Sequence, residues 1–358
     1  MSHLLQLSCA APGRRARTRR SSRRHAWLAG LMTIGLAACA DPVAESPPLA
    51  RLAIAPGSLT VSGISAGGYM AGQLHVAHSQ AVAGAAILAA GPYYCADDSM
   101  RLALGRCMQG DATIPVEGLL DVTRALAIAG KIDPISGLAG DRVWIFRGGG
   151  DPVIREPVVA ALDGYYRSLV EPANVARIDH PAAGHTFPTL AAGGACEATA
   201  APFVGACAFD AAGALLGHLY GALERRGDPT DGELIVFDQR PYAEEAGSRG
   251  LDAHGWLYVP RTCAGGASCR LHVVFHGCKQ GASFVGEQFV RSAGYLEWAA
   301  SNGIALLFPQ VAPSYQPLNP NGCWDWWGYE GSNYATHAGP QIAAVWRMIN
   351  DLGALPAD

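Results

Sequence analysis

Apolar runs bounded by glycine and proline recur along the chain, alternating between an unbroken strand-like pattern and a helical period. Residues 59–63 form a short apolar run that reads as a strand, a glycine-rich turn follows, and residues 69–78 read as a helix. Residues 81–90 are a second buried apolar run. Further strands are predicted over 142–147, 175–180, 256–260, 271–276 and 304–309, and helices over 157–169, 210–224, 284–302 and 339–352. Strands without a polar face, separated by helices, predict an α/β domain built on a mainly parallel sheet covered on both faces. No internal repeat or low-complexity tract interrupts this pattern beyond a richness in alanine.

The first forty residues follow a different pattern. Seven of the 26 basic residues lie there, at Arg14, Arg15, Arg17, Arg19, Arg20, Arg23 and Arg24, and no acidic residue precedes Asp41. An apolar run over 27–38 follows, which suits a signal-peptide core and is too short to span a bilayer. Residues 1–38 are therefore expected to be a signal peptide, 39–50 a tether, and 51–358 a single catalytic domain. Leu36-Ala37-Ala38-Cys39 resembles a bacterial lipobox, with Cys39 the lipidated residue and an outer-membrane anchor as the consequence; Ala38-Cys39-Ala40 equally fits an ordinary cleavage site. Either way the expected location is outside the cytoplasm. Half of the 358 residues are hydrophobic and 16% are charged, against a usual ~25%, which excludes a disordered chain. Without the basic leader, 19 basic residues face 30 acidic ones, a net charge of −11 that argues against a nucleic-acid partner. Nothing in the pattern calls for a partner chain, and a monomer is expected.

Cysteine usage agrees with export. Beyond Cys9 and Cys39, eight cysteines remain, and proximity suggests Cys95 with Cys107, Cys196 with Cys207 and Cys263 with Cys269, leaving Cys278 with Cys323. Eight cysteines allow 105 connectivities, so proximity alone selects this one. No cysteine or histidine spacing matches a zinc motif, and His75-x-x-His78 lacks the glutamate of a zincin, so no metal is expected.

The chemistry concentrates in Gly63-Ile64-Ser65-Ala66-Gly67, a Gly-x-Ser-x-Gly sequence between a predicted strand and a predicted helix. That context is what a nucleophile elbow requires, because the serine sits on a sharp turn where neighbouring side chains would clash. A serine nucleophile needs a base, and the base an orienting carboxylate. Asp151 follows the strand at 142–147 through three glycines, and His185 follows the strand at 175–180 through Pro181-Ala182-Ala183-Gly184. Both are thereby placed on the same sheet edge as Ser65, in the order serine, acid, histidine. His75, His78 and His180 are expected to be structural, and Tyr69 to pack behind the elbow.

The oxyanion donor comes out of order. An α/β-hydrolase usually supplies one backbone N–H from an early strand that precedes the nucleophile. Here the apolar strand ending in His276-Gly277-Cys278 follows all three triad candidates. A circular permutation accounts for this, with the half of the sheet that normally begins the domain moved to the C-terminus. The oxyanion donors are then the N–H groups of Ala66 and Cys278.

The segments Gly63–Met70, 183–188, 275–280 and 319–329 together resemble the short-chain-length polyhydroxyalkanoate depolymerases, in the type with its lipase box near the N-terminus. The resemblance covers nearly all of residues 51–352. It implies a permuted α/β-hydrolase that cleaves poly(3-hydroxybutyrate) esters through an acyl-enzyme, with Ser65 as nucleophile, His185 as base and then acid, and Asp151 orienting the imidazole. It implies no cofactor and a polyester or oligoester substrate. Many secreted members append a polymer-binding domain, and this chain ends soon after its catalytic region, so amorphous polymer or soluble oligomers are the expected substrates. Trp324, Trp326 and Trp327 are candidates for an apolar wall along such a chain, with Trp327 on the opposite side from the other two if the segment is extended. The competing readings are a secreted carboxylesterase of feruloyl or acetylxylan type and a binding lipoprotein on a degenerate hydrolase fold; the presence of all three triad candidates opposes the second.

Overall fold

The computed structural model describes residues 49–355. The expectations for residues 1–48, including the signal peptide and the lipid on Cys39, lie outside the described residues.

Eight strands make the main sheet: β1 Ile54–Ile64, β2 Gly84–Leu88, β3 Arg142–Gly148, β4 Val175–His180, β5 Gly232–Asp238, β6 His254–Pro260, β7 Cys269–Phe275 and β8 Ile304–Phe308. Their spatial order is β4-β3-β2-β1-β7-β8-β6-β5. All pairs are parallel except β8–β6 and β6–β5. The central strands β2, β7 and β8 are buried almost throughout, which is why they read as continuous apolar runs instead of alternating ones. Renumbered with β5–β8 ahead of β1, the same spatial order reads 1-2-4-3-5-6-7-8, the arrangement of an α/β-hydrolase with its oxyanion strand before its nucleophile strand. The chain is a cyclic permutation of that order.

The helices that cover the sheet are α1 Ala66–Ala77, α2 Met100–Leu104, α3 Arg106–Gln109, α4 Val116–Ile128, α5 Glu156–Arg167, α6 Ala211–Tyr220, α7 Arg240–Ala246, α8 Arg261–Ala264, α9 Ala282–Val285, α10 Gln288–Ser292, α11 Tyr295–Asn302 and α12 Pro340–Asp351. The single helix expected over 284–302 is three short ones, because the chain turns left-handed at Gly286 (φ 57°) and Gly294 (φ 86°). The strand β5 and the helix α4 were not anticipated. α4 buries only Leu119, Leu120 and Thr123, too narrow a stripe to stand out, and β5 is an edge strand with mixed burial. No described helix is long and apolar enough to cross a membrane.

Among the described residues four disulfides join Cys95–Cys107, Cys196–Cys207, Cys263–Cys269 and Cys278–Cys323, the three neighbouring pairs that proximity suggested and the pair it left.

Candidate active site

Ser65 follows directly on β1, the strand between β2 and β7, and directly precedes α1. Its backbone is left-handed (φ 58°, ψ −125°), a conformation that costs a non-glycine residue roughly 1–3 kcal/mol. The surrounding packing enforces it. The Ser65 N–H donates to the Leu88 carbonyl at 2.9 Å, and its carbonyl accepts from Tyr69 at 3.0 Å. A Cβ on Gly67 would sit 2.3 Å from the Phe275 oxygen, and one on Gly63 would sit 2.1 Å from the Gly67 oxygen. Only glycine at both positions lets the helix start this close to β7.

Asp151 and His185 are held in the loops after β3 and β4. The Asp151 Oδ1 accepts N–H bonds from Val153 at 2.7 Å and Ile154 at 3.0 Å, and its Oδ2 lies 2.8 Å from His185 Nδ1. A carboxylate only accepts, so Nδ1 carries the imidazole proton and Nε2 keeps its lone pair. Both side chains are buried. The two loops interlock: Gly149 donates to the His180 carbonyl at 2.7 Å and Gly150 to that of Ala183 at 2.9 Å. A Cβ on Gly148 would meet the Ala183 oxygen at 2.4 Å, so the glycine run before Asp151 is what allows the approach. The His185 N–H donates to Thr199 Oγ1 at 3.0 Å, and the Gly184 N–H to the Cys196 carbonyl at 2.9 Å, which ties the histidine loop to the Cys196–Cys207 bridge.

The loop after β7 lies against the serine. A Cβ on Gly277 would be 3.4 Å from Ser65 Cβ, the Gly277 N–H donates to Gln280 Oε1 at 2.7 Å, and the Lys279 N–H to the Asn321 carbonyl at 2.7 Å. Among the described residues the Cys278 N–H has no acceptor, and the Ala66 N–H opens the first turn of α1, where helix geometry leaves it unpaired. His276 stiffens the loop from below: Val311 N–H donates to its Nε2 at 3.1 Å, so its Nδ1–H donates to the Gly277 carbonyl at 2.7 Å.

Ser65, Ala66, His185 and Cys278 all line one cavity of about 540 Å³. The rest of its wall is largely apolar, with Tyr69, Ala103, Met108, Val153, Ile154 and Phe203 inside and Met100, Leu104 and Leu318 exposed at the rim. Trp326 stacks on Tyr69 with ring centroids 4.1 Å apart, and Trp327 stands edge-on to Trp326 at 5.5 Å. Both tryptophans line the cavity.

No protein-family model matches the chain. A polyhydroxybutyrate depolymerase from Talaromyces funiculosus is 34% identical over 345 residues, 91% of this chain and 96% of the relative. The chain belongs to the polyhydroxybutyrate depolymerase family. A poly(3-hydroxybutyrate) depolymerase from Delftia acidovorans is 45% identical over 296 residues, 81% of this chain; the match spans 58% of that relative's length. Among solved structures, the PHB depolymerase from Penicillium funiculosum superposes with a TM-score of 0.79 at 32% identity, covering 87% of this chain and all of that one. A PHB depolymerase carrying a serine-to-alanine substitution, complexed with an R3HB trimer, gives 0.80 at 31% identity with the same coverage.

Within this depolymerase fold two aromatic expectations need correction. Trp324 is not a wall residue: it is fully buried, packed edge-on to Phe275 at 4.9 Å, and does not line the cavity. The reason is that the segment is not extended. The carboxylate of Asp325 accepts N–H bonds from Trp327, Gly328, Tyr329 and Glu330, wrapping the chain into a turn in which Trp324 is buried while Trp326 and Trp327 line the cavity. Tyr69, expected only to pack behind the elbow, is buried with its hydroxyl on the Cys107 carbonyl and also lines the cavity, its ring stacked on that of Trp326. The sequence reading missed Asp325 and the apolar residues of α2 and α3. The second group had a visible signal, since Met100, Ala103, Leu104 and Met108 are apolar at helical spacing around a disulfide loop.

Proposed function

We propose that the chain is a serine esterase that hydrolyses poly(3-hydroxybutyrate) or its oligomers through an acyl-enzyme. The observation that carries this is the Asp151–His185 pair, held at 2.8 Å, whose histidine shares with a strained Ser65 a largely apolar cavity of about 540 Å³. The Ser65 Oγ attacks the ester carbonyl while His185 Nε2 takes its proton, and the negative charge forming on the carbonyl oxygen is met by the N–H groups of Ala66 and Cys278. Each such donor contributes on the order of 3 kcal/mol in comparable sites. The imidazolium, stabilised by Asp151, then returns the proton to the departing hydroxyl end of the polyester. Water, deprotonated by the same nitrogen, attacks the acyl-serine and releases the acid with Ser65 restored.

Substrate choice rests on the wall. Tyr69, Trp326 and Trp327 offer flat apolar surface to a methyl-branched chain, and the R3HB trimer complexed with a structural neighbour is a ligand of that class. We also propose that residues 1–38 are a signal peptide, 39–50 a tether with Cys39 as the lipidated residue, and 51–358 one catalytic domain acting as a monomer. Four disulfides support an exported protein.

The test is release of soluble 3-hydroxybutyrate products from amorphous poly(3-hydroxybutyrate), with p-nitrophenyl butyrate in parallel and Ser65→Ala as control. Polymer cleavage abolished in the variant is expected. Activity on the small ester alone would move the assignment to a general carboxylesterase, and an active Ser65→Ala protein would remove Ser65 from its role.

A further inference from the structure

The helix that begins at Ser65 carries a second polar cluster at its other end. His78 caps the C-terminus of α1, Asp133 lies in the segment after α4, and His337 lies just before α12. Their candidate ligand atoms all lie within 4.8 Å of one another. His337 Nε2 is 3.2 Å from an Asp133 oxygen and 2.6 Å from the Ala77 carbonyl oxygen. His78 is 94% buried, its ring stacked on Trp346 at 3.6 Å, and its Nε2 has no hydrogen-bond partner. An orphaned buried nitrogen of this kind is uncommon and costly, and here it belongs to the same cluster as a carboxylate and a second imidazole.

We propose that His78, Asp133 and His337 form a structural site for a divalent transition metal, with Zn²⁺ the ion that fits them. Two imidazoles and one carboxylate are a borderline donor set that suits zinc better than calcium or magnesium, which prefer oxygen alone. Tetrahedral zinc with bonds of about 2.1 Å needs its ligand atoms about 3.4 Å apart. The His337–Asp133 pair already meets that spacing, and the widest pair must close by about 1.4 Å. To ligate through Nε2, His337 carries its proton on Nδ1 instead, and its ring turns away from the Ala77 carbonyl to give up that hydrogen bond. Asp133 is oriented for the task, since its other oxygen accepts the Gln80 N–H at 3.0 Å while its own N–H donates to the Ala77 carbonyl at 2.9 Å. A surface cavity of about 310 Å³ beside His337, lined also by Lys131, Asn333 and Thr336, gives an ion and a completing water a way in.

The role is structural. α1 has twelve residues, so the cluster is about 18 Å from Ser65. Zinc there clips the end of the nucleophile helix to two segments remote in sequence and stabilises the fold by mass action.

The experiment is a zinc titration of the metal-free chain, made without a histidine tag, followed by calorimetry and by thermal unfolding. One equivalent bound, a melting temperature raised by several degrees, and loss of affinity by roughly tenfold or more in His337→Ala and in Asp133→Asn are expected. Both positions are partly exposed, and Asp133→Asn is nearly isosteric, so at least one variant reports on a folded protein. The absence of saturable binding up to roughly 100 µM zinc, or binding unchanged in a folded variant, would overturn the site.

Discussion

A histidine inside a protein stays neutral when its surroundings supply one acceptor and one donor and no room for a second proton. His272 is held in this way. Thr60 donates to Tyr220, so its oxygen accepts from His272 Nδ1–H at 2.7 Å, and Ser62 then donates to Nε2 at 2.7 Å while accepting from Tyr295. Burial pushes His272 down to about 3 and His276 down to about 4, from an ordinary 6.5. The unfolded chain binds protons at these positions near pH 6.5 and the folded chain does not, so their stabilisation is present above pH 6.5 and is lost as pH falls towards 4. Each contributes a slope of up to about 1.4 kcal/mol per pH unit in that window. Asp325, which burial raises to about 6, works in the opposite direction, so the test is differential. Urea unfolding of the parent and of His272→Gln between pH 7 and 4.5 should show a slope shallower by about one proton in the variant. Equal slopes would mean that His272 already titrates in the native state. The sequence placed His272 inside an apolar strand, but its partners come from β1, α6 and α11, and no spacing rule could have shown them.

At the level of elements, motif chemistry was legible and side-chain direction was not. Gly63 to Gly67 could be read as an elbow because the clash that requires glycine is local to the turn. Asp151 and His185 could be placed because strand ends fix where the next residue emerges. The tryptophan segment failed because its conformation depends on the Asp325 carboxylate collecting four backbone N–H groups, a turn invisible to alternation. That difference has a measurable consequence. Trp324→Ala should cost roughly 3–5 kcal/mol of unfolding free energy, because it empties a fully buried site against Phe275. Trp327→Ala, at a half-buried cavity wall, should leave stability within about 1–2 kcal/mol and act mainly by raising KM for a hydroxybutyrate oligomer. Denaturant titration and steady-state kinetics on the pair separate the two; a destabilised Trp327→Ala protein with normal KM would place the wall elsewhere.

For the whole molecule, the strand order makes the permutation a physical claim about chain ends. The Leu52 N–H donates to the Leu352 carbonyl at 3.0 Å, so both ends of the described chain meet beside the sheet. Glu224 and Arg225 lie exposed in the connection between α6 and β5, at the place where the chain of an unpermuted order would begin. A chain opened between them, with residues 355 and 49 joined by a short flexible linker, should fold with the same four disulfides and lose no more than about 1–2 kcal/mol. Circular dichroism, denaturant unfolding and disulfide mapping check this. Scrambled bridges or an unfolded product would show that the present order is required for folding.

The sequence by itself determined the parallel core, the strand-to-helix turn at Ser65, the emergence of Asp151 and His185 after neighbouring strands, and the late position of the strand that ends in His276-Gly277-Cys278; it suggested the disulfide partners by proximity. All of these depend on short-range sterics or on the order of elements along the chain. Tertiary structure alone decided which tryptophans face the cavity, how the buried histidines are satisfied, and that His78 meets Asp133 and His337. They depend on hydrogen-bond and packing partners that no linear pattern records: the Asp325 carboxylate closes on the N–H groups that follow it, while His272 and His78 meet segments more than fifty residues away.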